Sequence, residues 1–166
     1  MIRQAEKKDL TRVMEIKEAV VPLMVAAGNT QWSSEYPNAQ RFNRDIESGT
    51  LYVYESDEEI AGFVVVDDEH PKPYEEISWE VEASQAKAMH RMAVDPGVQG
   101  QGIARKMMEA IAEVLEQQGI KGIHTDTSLE NERMQKQFER NGYHYRGKLH
   151  LDDNIEDWYI AYEKTF

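Results

Sequence analysis

Residues 94–105 read Val94-Asp95-Pro96-Gly97-Val98-Gln99-Gly100-Gln101-Gly102-Ile103-Ala104-Arg105. A strand-like apolar segment ends at the Asp-Pro-Gly triplet, and a glycine-containing loop then leads into an amphipathic helical pattern. The first backbone N–H groups of a helix have no partner within the helix, and the helix dipole adds a partial positive charge there. Gly100 and Gly102 lack a Cβ atom, so the backbone can approach a bound group closely. The segment therefore predicts a phosphate-type anion site.

Spacing excludes two common phosphate loops. A Walker loop requires Gly-Lys-Ser/Thr at its end, whereas Gly102 is followed by Ile103 and Ala104. A dinucleotide fingerprint requires a small residue three positions after its second glycine, but Arg105 stands there and no βαβ frame surrounds it. A third pattern, Gln/Arg-x-x-Gly-x-Gly/Ala, is matched in full by Gln99, Gly102 and Ala104.

Apolar periodicity outside this loop predicts alternating groups of helices and strands. Helical spacing occupies residues 9–27, 38–49, 103–119 and 131–140, and strand-like segments occupy residues 2–5, 51–54, 60–66, 88–94, 120–125, 143–149 and 158–162. Residues 67–76, with two prolines, are predicted to be a loop. The order β-α-α-β-β-β-α-β-α-β-β favours an α+β protein with a mixed, mostly antiparallel central sheet and helices on both faces. No repeat or Gly/Ser linker divides the chain, so we expect one domain over residues 1–166.

The third loop pattern resembles the pyrophosphate loop of the GNAT superfamily of N-acetyltransferases. The family's usual Val-x-Pro also precedes it, at Val94 and Pro96. Residues 131–143 look like the family's helix after the fifth strand, with an asparagine at the start and Gly-Tyr at the end. Trp32 and the Tyr36-Pro37 pair resemble a small bacterial subgroup. The predicted element order also matches this fold from the first strand to the last, although the loop alone would fit an ordinary helix start.

The resemblance implies a GNAT (acyl-CoA N-acyltransferase) fold. It also implies an enzyme that transfers an acetyl group directly from acetyl-CoA to a primary amine of a small molecule or peptide. It assigns the pantetheine arm to the backbone of Met92, Ala93 and Val94, and the pyrophosphate to Gln99, Gly100, Gln101, Gly102, Ile103, Ala104 and Arg105. Asn131 would contact the cofactor arm, although it would also serve as a helix cap. No metal ion is expected in the reaction.

His90 is the candidate catalytic base. By strand alternation, His90 shares a face with Ala88 and Met92, near where family members place a carboxylate, and histidine changes charge near neutral pH. A histidine in a sheet is more often a hydrogen-bonded packing residue. Many relatives carry a tyrosine four residues before the glycine that ends the later helix; Phe138 stands there and cannot donate a proton. Its ring is expected to pack where the cofactor sulfur arrives. This departure keeps open a catalytically silent acyl-CoA-binding or regulatory module.

Three aromatic residues are candidates for the amine pocket, because the family's first helix–helix connection borders that pocket. They are Trp32, Tyr36 and Trp79. Aromatic residues are also routine in cores and lids, so a packing role stays open for each.

Composition limits the partners. The net charge of −12 argues against non-specific nucleic-acid binding and would attract a cationic amine. The absence of cysteine excludes disulfides and a cysteine nucleophile, and it fits a reducing cytoplasm. The longest apolar run, residues 19–27, is too short to span a membrane, and the first eight residues lack a signal core. We expect a cytoplasmic protein without membrane partners, either a monomer or a homodimer.

Overall fold

The computed structural model describes residues 1–152 and 154–166. The strands are β1 (Ile2–Gln4), β2 (Leu51–Ser56), β3 (Glu59–Asp67), β4 (Ala86–Val94), β5 (Gly122–Ser128), β6 (His144–Leu149) and β7 (Tyr159–Thr165). The α-helices are α1 (Leu10–Ala26), α2 (Ala39–Glu47), α3 (Ile103–Gln117) and α4 (Glu132–Arg140). Across these residues the strand order is β1-β2-β3-β4-β5-β7-β6. The predicted order of elements is therefore confirmed.

The chain divides into two compact units. The first unit contains Met1–Val66 and His90–Ile111, and the second contains Asp67–Met89 and Ala112–Phe166. Strand β4 and helix α3 each contribute residues to both units.

Helix ends in the first unit follow local chemistry. Asn38 caps α2 by accepting the N–H of Arg41 on Oδ1 at 2.8 Å, as predicted. Gly28 follows α1 with a φ of 87°, and Gly49 follows α2 with a φ of 71°. Because glycine adopts a positive φ without the Cβ clash, both helices can stop sharply at these positions.

A hairpin and a helix-covered core complete the first unit. Strands β2 and β3 pair antiparallel, with Ser56 opposite Glu59. Asp57 and Glu58 form the two-residue turn with φ values of 53° and 65°, which matches the right-handed twist of a hairpin. The buried residues clustered here are Ala5, Val13, Ile16, Val20, Trp32, Phe42, Leu51, Val53, Ile60, Phe63, Val65 and Ala93.

The second unit joins a parallel pair to antiparallel neighbours. The first residues of β4, Ala86–Ala88, pair in parallel with β5, whereas β5 with β7 and β6 with β7 are antiparallel. The predicted loop at residues 67–76 contains a 3₁₀ helix, Lys72–Glu76. That short helix brings Tyr74 into a cluster with Leu149, Tyr159 and Ala161, so the loop prediction is wrong for residues 72–76.

Candidate active site

The connection from β4 to α3 is anchored by Asp95. Its Oδ1 accepts the Gly97 N–H at 2.9 Å, and its Oδ2 lies 2.5 Å from Nη2 of Arg12 on α1. Its own N–H donates to the carbonyl of Ala61 at 2.8 Å. Accepting the Gly97 N–H lowers the pKa of the Asp95 carboxyl, with a further lowering by the Arg12 guanidinium against the opposing effect of burial. The start of the loop is thus fixed to two neighbouring segments of the first unit.

The glycines of the loop leave open space beside the start of α3. Gly100 and Gly102 have φ values of 84° and 73°. A Cβ atom built on either glycine would meet no other atom of the described residues within 4 Å, its own chain neighbours aside. The first helical hydrogen bond runs from Lys106 N–H to Gly102 O at 3.0 Å. The N–H groups of residues 103–105 therefore belong to the first turn, where a helix offers donors to an anion.

Strand β4 is irregular just before this loop. Arg91 has a φ of 43°, which is unusual for a residue other than glycine. His90 and Met92, on either side of it, are both half-buried, whereas Ala93 is buried. A left-handed residue breaks the strand's alternation of side chains. The predicted common face for His90 and Met92 therefore does not follow from alternation.

The predicted pocket aromatics of the first unit differ in exposure. Trp32 is 6% exposed and stacks on Phe63, with ring centroids 6.2 Å apart, so its placement favours the packing role. Tyr36 is 45% exposed. Between them in sequence, the Ser34 carbonyl accepts a hydrogen bond from Nζ of the buried Lys17 at 3.2 Å. A lysine inside α1 thus holds the α1–α2 connection, a contact that no local sequence pattern signals.

Asn131 and Phe138 lie at α4 in the second unit. Asn131 accepts the N–H of Met134 on Oδ1 at 3.1 Å, which is the predicted helix cap. Phe138 is 2% exposed, and its ring centroid lies 5.1 Å from that of Tyr143 and 5.3 Å from that of Tyr162. The ring is therefore part of a buried aromatic cluster.

Trp79 also belongs to the second unit, where it covers a buried histidine. Its ring stacks on the ring of His124, with the centroids 3.9 Å apart. Its Nε1 donates a hydrogen bond to the carbonyl of Tyr74 at 2.9 Å. Tyr74 in turn donates its hydroxyl to Asp126. Burial raises the pKa of Tyr74 well above its ordinary value, and the charge of Asp126 adds to that rise. These contacts give Trp79 a packing role in addition to the predicted pocket role.

A buried hydrogen-bond network around the carboxylate of Glu163 was missed from sequence. Glu163 on β7 is 1% exposed and accepts the N–H groups of Glu80 and Val81, both at 2.9 Å. Its Oε2 also lies 2.9 Å from Nε2 of His124. Burial lowers the pKa of His124, outweighing the opposite effect of Glu163.

We expect His124 to make the second unit acid-sensitive. Because its folded-state pKa is below the unfolded value of about 6.5, the unfolded chain binds the proton more readily. The free energy of unfolding therefore keeps its full value above about pH 6.5 and decreases as the pH falls from there toward the lower folded-state pKa of His124. Urea unfolding at pH 5 to 8 should show a shallower pH dependence in His124→Gln than in the parent. The exposed His144→Gln is the control and should keep the parent's slope; identical slopes for all three proteins would contradict the assignment.

Two further observations concern metals and membranes. Among residues 1–152 and 154–166, no group of three His, Cys, Asp or Glu side chains is arranged to hold a metal ion. In the same described part of the chain, no helix combines the length and apolar character needed to cross a bilayer.

Comparisons with known proteins place this geometry in context. The model of the acetyltransferase (GNAT) family matches residues 14–143. A GNAT acetyltransferase structure from Streptococcus agalactiae 2603 aligns with a TM-score of 0.85 and 24% identity, covering 100% of this chain and 95% of that one. A structure from Staphylococcus aureus Mu50 that is assigned as an acetyltransferase aligns with a TM-score of 0.75 and 28% identity, covering 99% of this chain and 98% of that one. No curated protein matches the sequence.

One similar structure contains a ligand. A Salmonella typhimurium protein assigned as an acetyltransferase, determined with its cofactor acetyl-CoA, aligns with a TM-score of 0.73 and 16% identity, covering 99% of this chain and 92% of that one. Together these likenesses confirm the predicted fold.

Proposed function

We propose that this chain, which belongs to the GNAT family of acetyltransferases, transfers an acetyl group from acetyl-CoA directly to a primary amine of a small molecule or peptide. The loop between β4 and α3 is the observation that carries this proposal. It combines two left-handed glycines, open space beside them and the first turn of a 15-residue helix. These features suit the pyrophosphate of a coenzyme, which needs backbone donors and close approach.

The loop residues from Gln99 to Arg105 are proposed to hold the pyrophosphate, and the backbone of Met92–Val94 is proposed to bind the pantetheine arm. The anchoring of Asp95 by Arg12 and Gly97 supports this role, because a fixed loop presents its N–H groups without a large ordering cost. Asn131 is proposed to contact the same arm, as the family resemblance implies, while it caps α4.

Acetyl transfer requires a neutral amine. For a lysine-like pKa of about 10.4, roughly one molecule in 2,500 is neutral at pH 7, a deficit of about 4–5 kcal/mol. The amine nitrogen attacks the thioester carbonyl carbon, the C–S bond breaks, and the nitrogen gives up its proton to a base. We propose His90 as that base, directly or through water. Phe138 supplies no proton, so the thiolate departs unprotonated, which a thiol pKa of about 8.5 permits.

The acceptor is proposed to be cationic in solution, because the net charge of −12 attracts positive charge. Tyr36 and Trp79 are proposed to line its pocket, whereas Trp32 is proposed to pack against Phe63, where it is buried. We also propose that residues 1–166 act as one domain in the cytoplasm without nucleic-acid partners.

A catalytically silent acyl-CoA-binding module is the second candidate function, and Phe138 favours it because a proton donor is absent from that position. A thiol-release assay with acetyl-CoA and a broad amine panel distinguishes the two. Turnover with any amine supports the enzyme. Tight acetyl-CoA binding without turnover across the panel supports the module, and the absence of acetyl-CoA binding contradicts both.

His90→Ala is expected to lower turnover mainly at neutral pH, by about a hundredfold if His90 is the base. Raising the pH supplies neutral amine from solution, so the variant should recover partly at higher pH. The measurement is the pH–rate profile of parent and variant with the best amine in the panel. His144→Ala, at an exposed histidine, is the control. A profile of unchanged shape and height would remove His90 from the mechanism.

A further inference from the structure

Arg91 holds a strained backbone conformation next to the proposed site. Its φ of 43° lies in the left-handed region, where a Cβ atom crowds the following carbonyl. Such residues persist when their surroundings over-determine the conformation, and they occur often at functional sites. Here the strained residue directly precedes Met92–Val94, the backbone proposed to bind the pantetheine arm.

The Arg91 side chain shows what holds this conformation. Its Nε donates to Oδ2 of Asp45 at 3.2 Å, and its Nη2 donates to Oδ1 at 3.1 Å. The two side chains are only 10% and 5% exposed. Two parallel hydrogen bonds fix the direction of a guanidinium as well as its distance. A buried pair of this geometry therefore restrains the backbone to which Arg91 is attached.

Asp45 is itself held in place on α2. Its backbone carbonyl accepts both the N–H and the hydroxyl of Thr50, at 2.9 and 3.1 Å. Three residues earlier on the same helix, the ring of Phe42 packs edge-on against the ring of Phe63, with the ring centroids 5.1 Å apart. Arg41 adds a second cation 3.5 Å from the Asp45 carboxylate. The anchor of Arg91 is thus a rigid part of the first unit.

We propose that Arg91 and Asp45 are a positioning pair for acetyl-CoA, which deepens and rests on the proposed function. The ion pair keeps β4 bent at residue 91. The bend directs the backbone groups of Met92–Val94 toward the cofactor arm. Neither side chain touches the reacting atoms; each acts through the shape of the strand.

The test compares substitutions that separate the bend from the charge. Arg91→Ala removes the side chain that binds Asp45 but keeps a Cβ atom, so the strain of a positive φ remains. Arg91→Gly removes the side chain and the Cβ atom, and the strain of the positive φ is removed with them. Asp45→Asn nearly preserves shape and removes the anchor's charge. Arg44→Ala, at an exposed position on the same helix, is the control. Acetyl-CoA affinity is measured by calorimetry, well below each variant's melting temperature.

Arg91→Ala and Asp45→Asn are expected to weaken acetyl-CoA binding about tenfold, and their combination should weaken it no further, because the two residues act as one unit. Arg91→Gly should bind better than Arg91→Ala, since glycine adopts the bend without strain. The KM for acetyl-CoA should change more than kcat. If Arg91→Ala fails to fold, Arg91→Gly and Asp45→Asn with the Arg44 control carry the comparison, and both should bind more weakly than the parent.

Three outcomes overturn the inference. Parent-like affinity in folded Arg91→Ala and Asp45→Asn would show that the pair does not position the strand. Equal losses in Arg91→Gly and Arg91→Ala would assign the effect to the lost charge. A parent protein that does not bind acetyl-CoA would overturn the proposed function as well, whereas a binding parent with unaffected variants overturns only this inference.

Discussion

Gly102→Val is expected to lower acetyl-CoA affinity about a hundredfold while the chain still folds. A Cβ atom at Gly102 would meet no other described atom within 4 Å, its chain neighbours aside, but the added side chain occupies the place proposed for the pyrophosphate beside the first turn of α3. Hydrogen bonds to a charged group contribute about 1.5–3 kcal/mol each, and every 1.4 kcal/mol is tenfold in affinity. Losing one or two of them accounts for the expected change.

Backbone strain must be separated from this effect, because Gly102 has a φ of 73°. Gly119, after α3, has a φ of 82° and equally open surroundings, so Gly119→Val is a matched control. Both variants should lose about 1–2 kcal/mol of stability through the left-handed conformation. Calorimetric titration should find weaker acetyl-CoA binding in the Gly102 variant alone. Unchanged affinity in a folded Gly102→Val protein would refute the loop assignment.

Much of the fold was predictable because its signals are local. Asn38 and Asn131 each cap a helix through an N–H three residues ahead, and the glycines that follow helices have a positive φ. Residue spacing within one segment therefore carries this information. The loop at 99–105 belongs to the same class, since its glycines and the following helix are contiguous in the chain.

The missed features depend on residues far apart in sequence. Arg91 and Asp45 are 46 positions apart, and His124 and Glu163 are 39 apart. Taken alone, Arg91, Asp45 and Glu163 each resemble an ordinary charged surface residue, which is also the commonest case for their types. The positive φ of Arg91 likewise has no sequence signal, because arginine rarely adopts this conformation. Strand alternation, which was used to place His90, therefore could not anticipate the conformation of Arg91. The role of His90 as base is still a prediction.

Glu163→Ala is expected to destabilise the folded protein by about 3–5 kcal/mol, because the buried carboxylate is the acceptor for several buried donors. The carboxylate satisfies the N–H groups of Glu80 and Val81 and contacts Nε2 of His124. Alanine would leave those donors without an acceptor, each costing about 1–3 kcal/mol if it stays buried. Partial opening of residues 77–82 to water would limit the total.

Glu163→Gln separates the charge from the shape. Its amide oxygen can keep one acceptor contact, but its NH₂ group faces a backbone donor, so we expect a loss smaller than that of alanine. Urea unfolding at pH 7 measures both, and Glu116→Ala, at an exposed helix position, should stay within about 0.5 kcal/mol of the parent. A Glu163→Ala protein within about 1 kcal/mol of the parent would mean that water already satisfies these N–H groups when the carboxylate is absent. Apolar packing would then hold residues 80 and 81 against β7. The buried hydrogen bonds would set the register of these residues against β7 without adding to the free energy of unfolding.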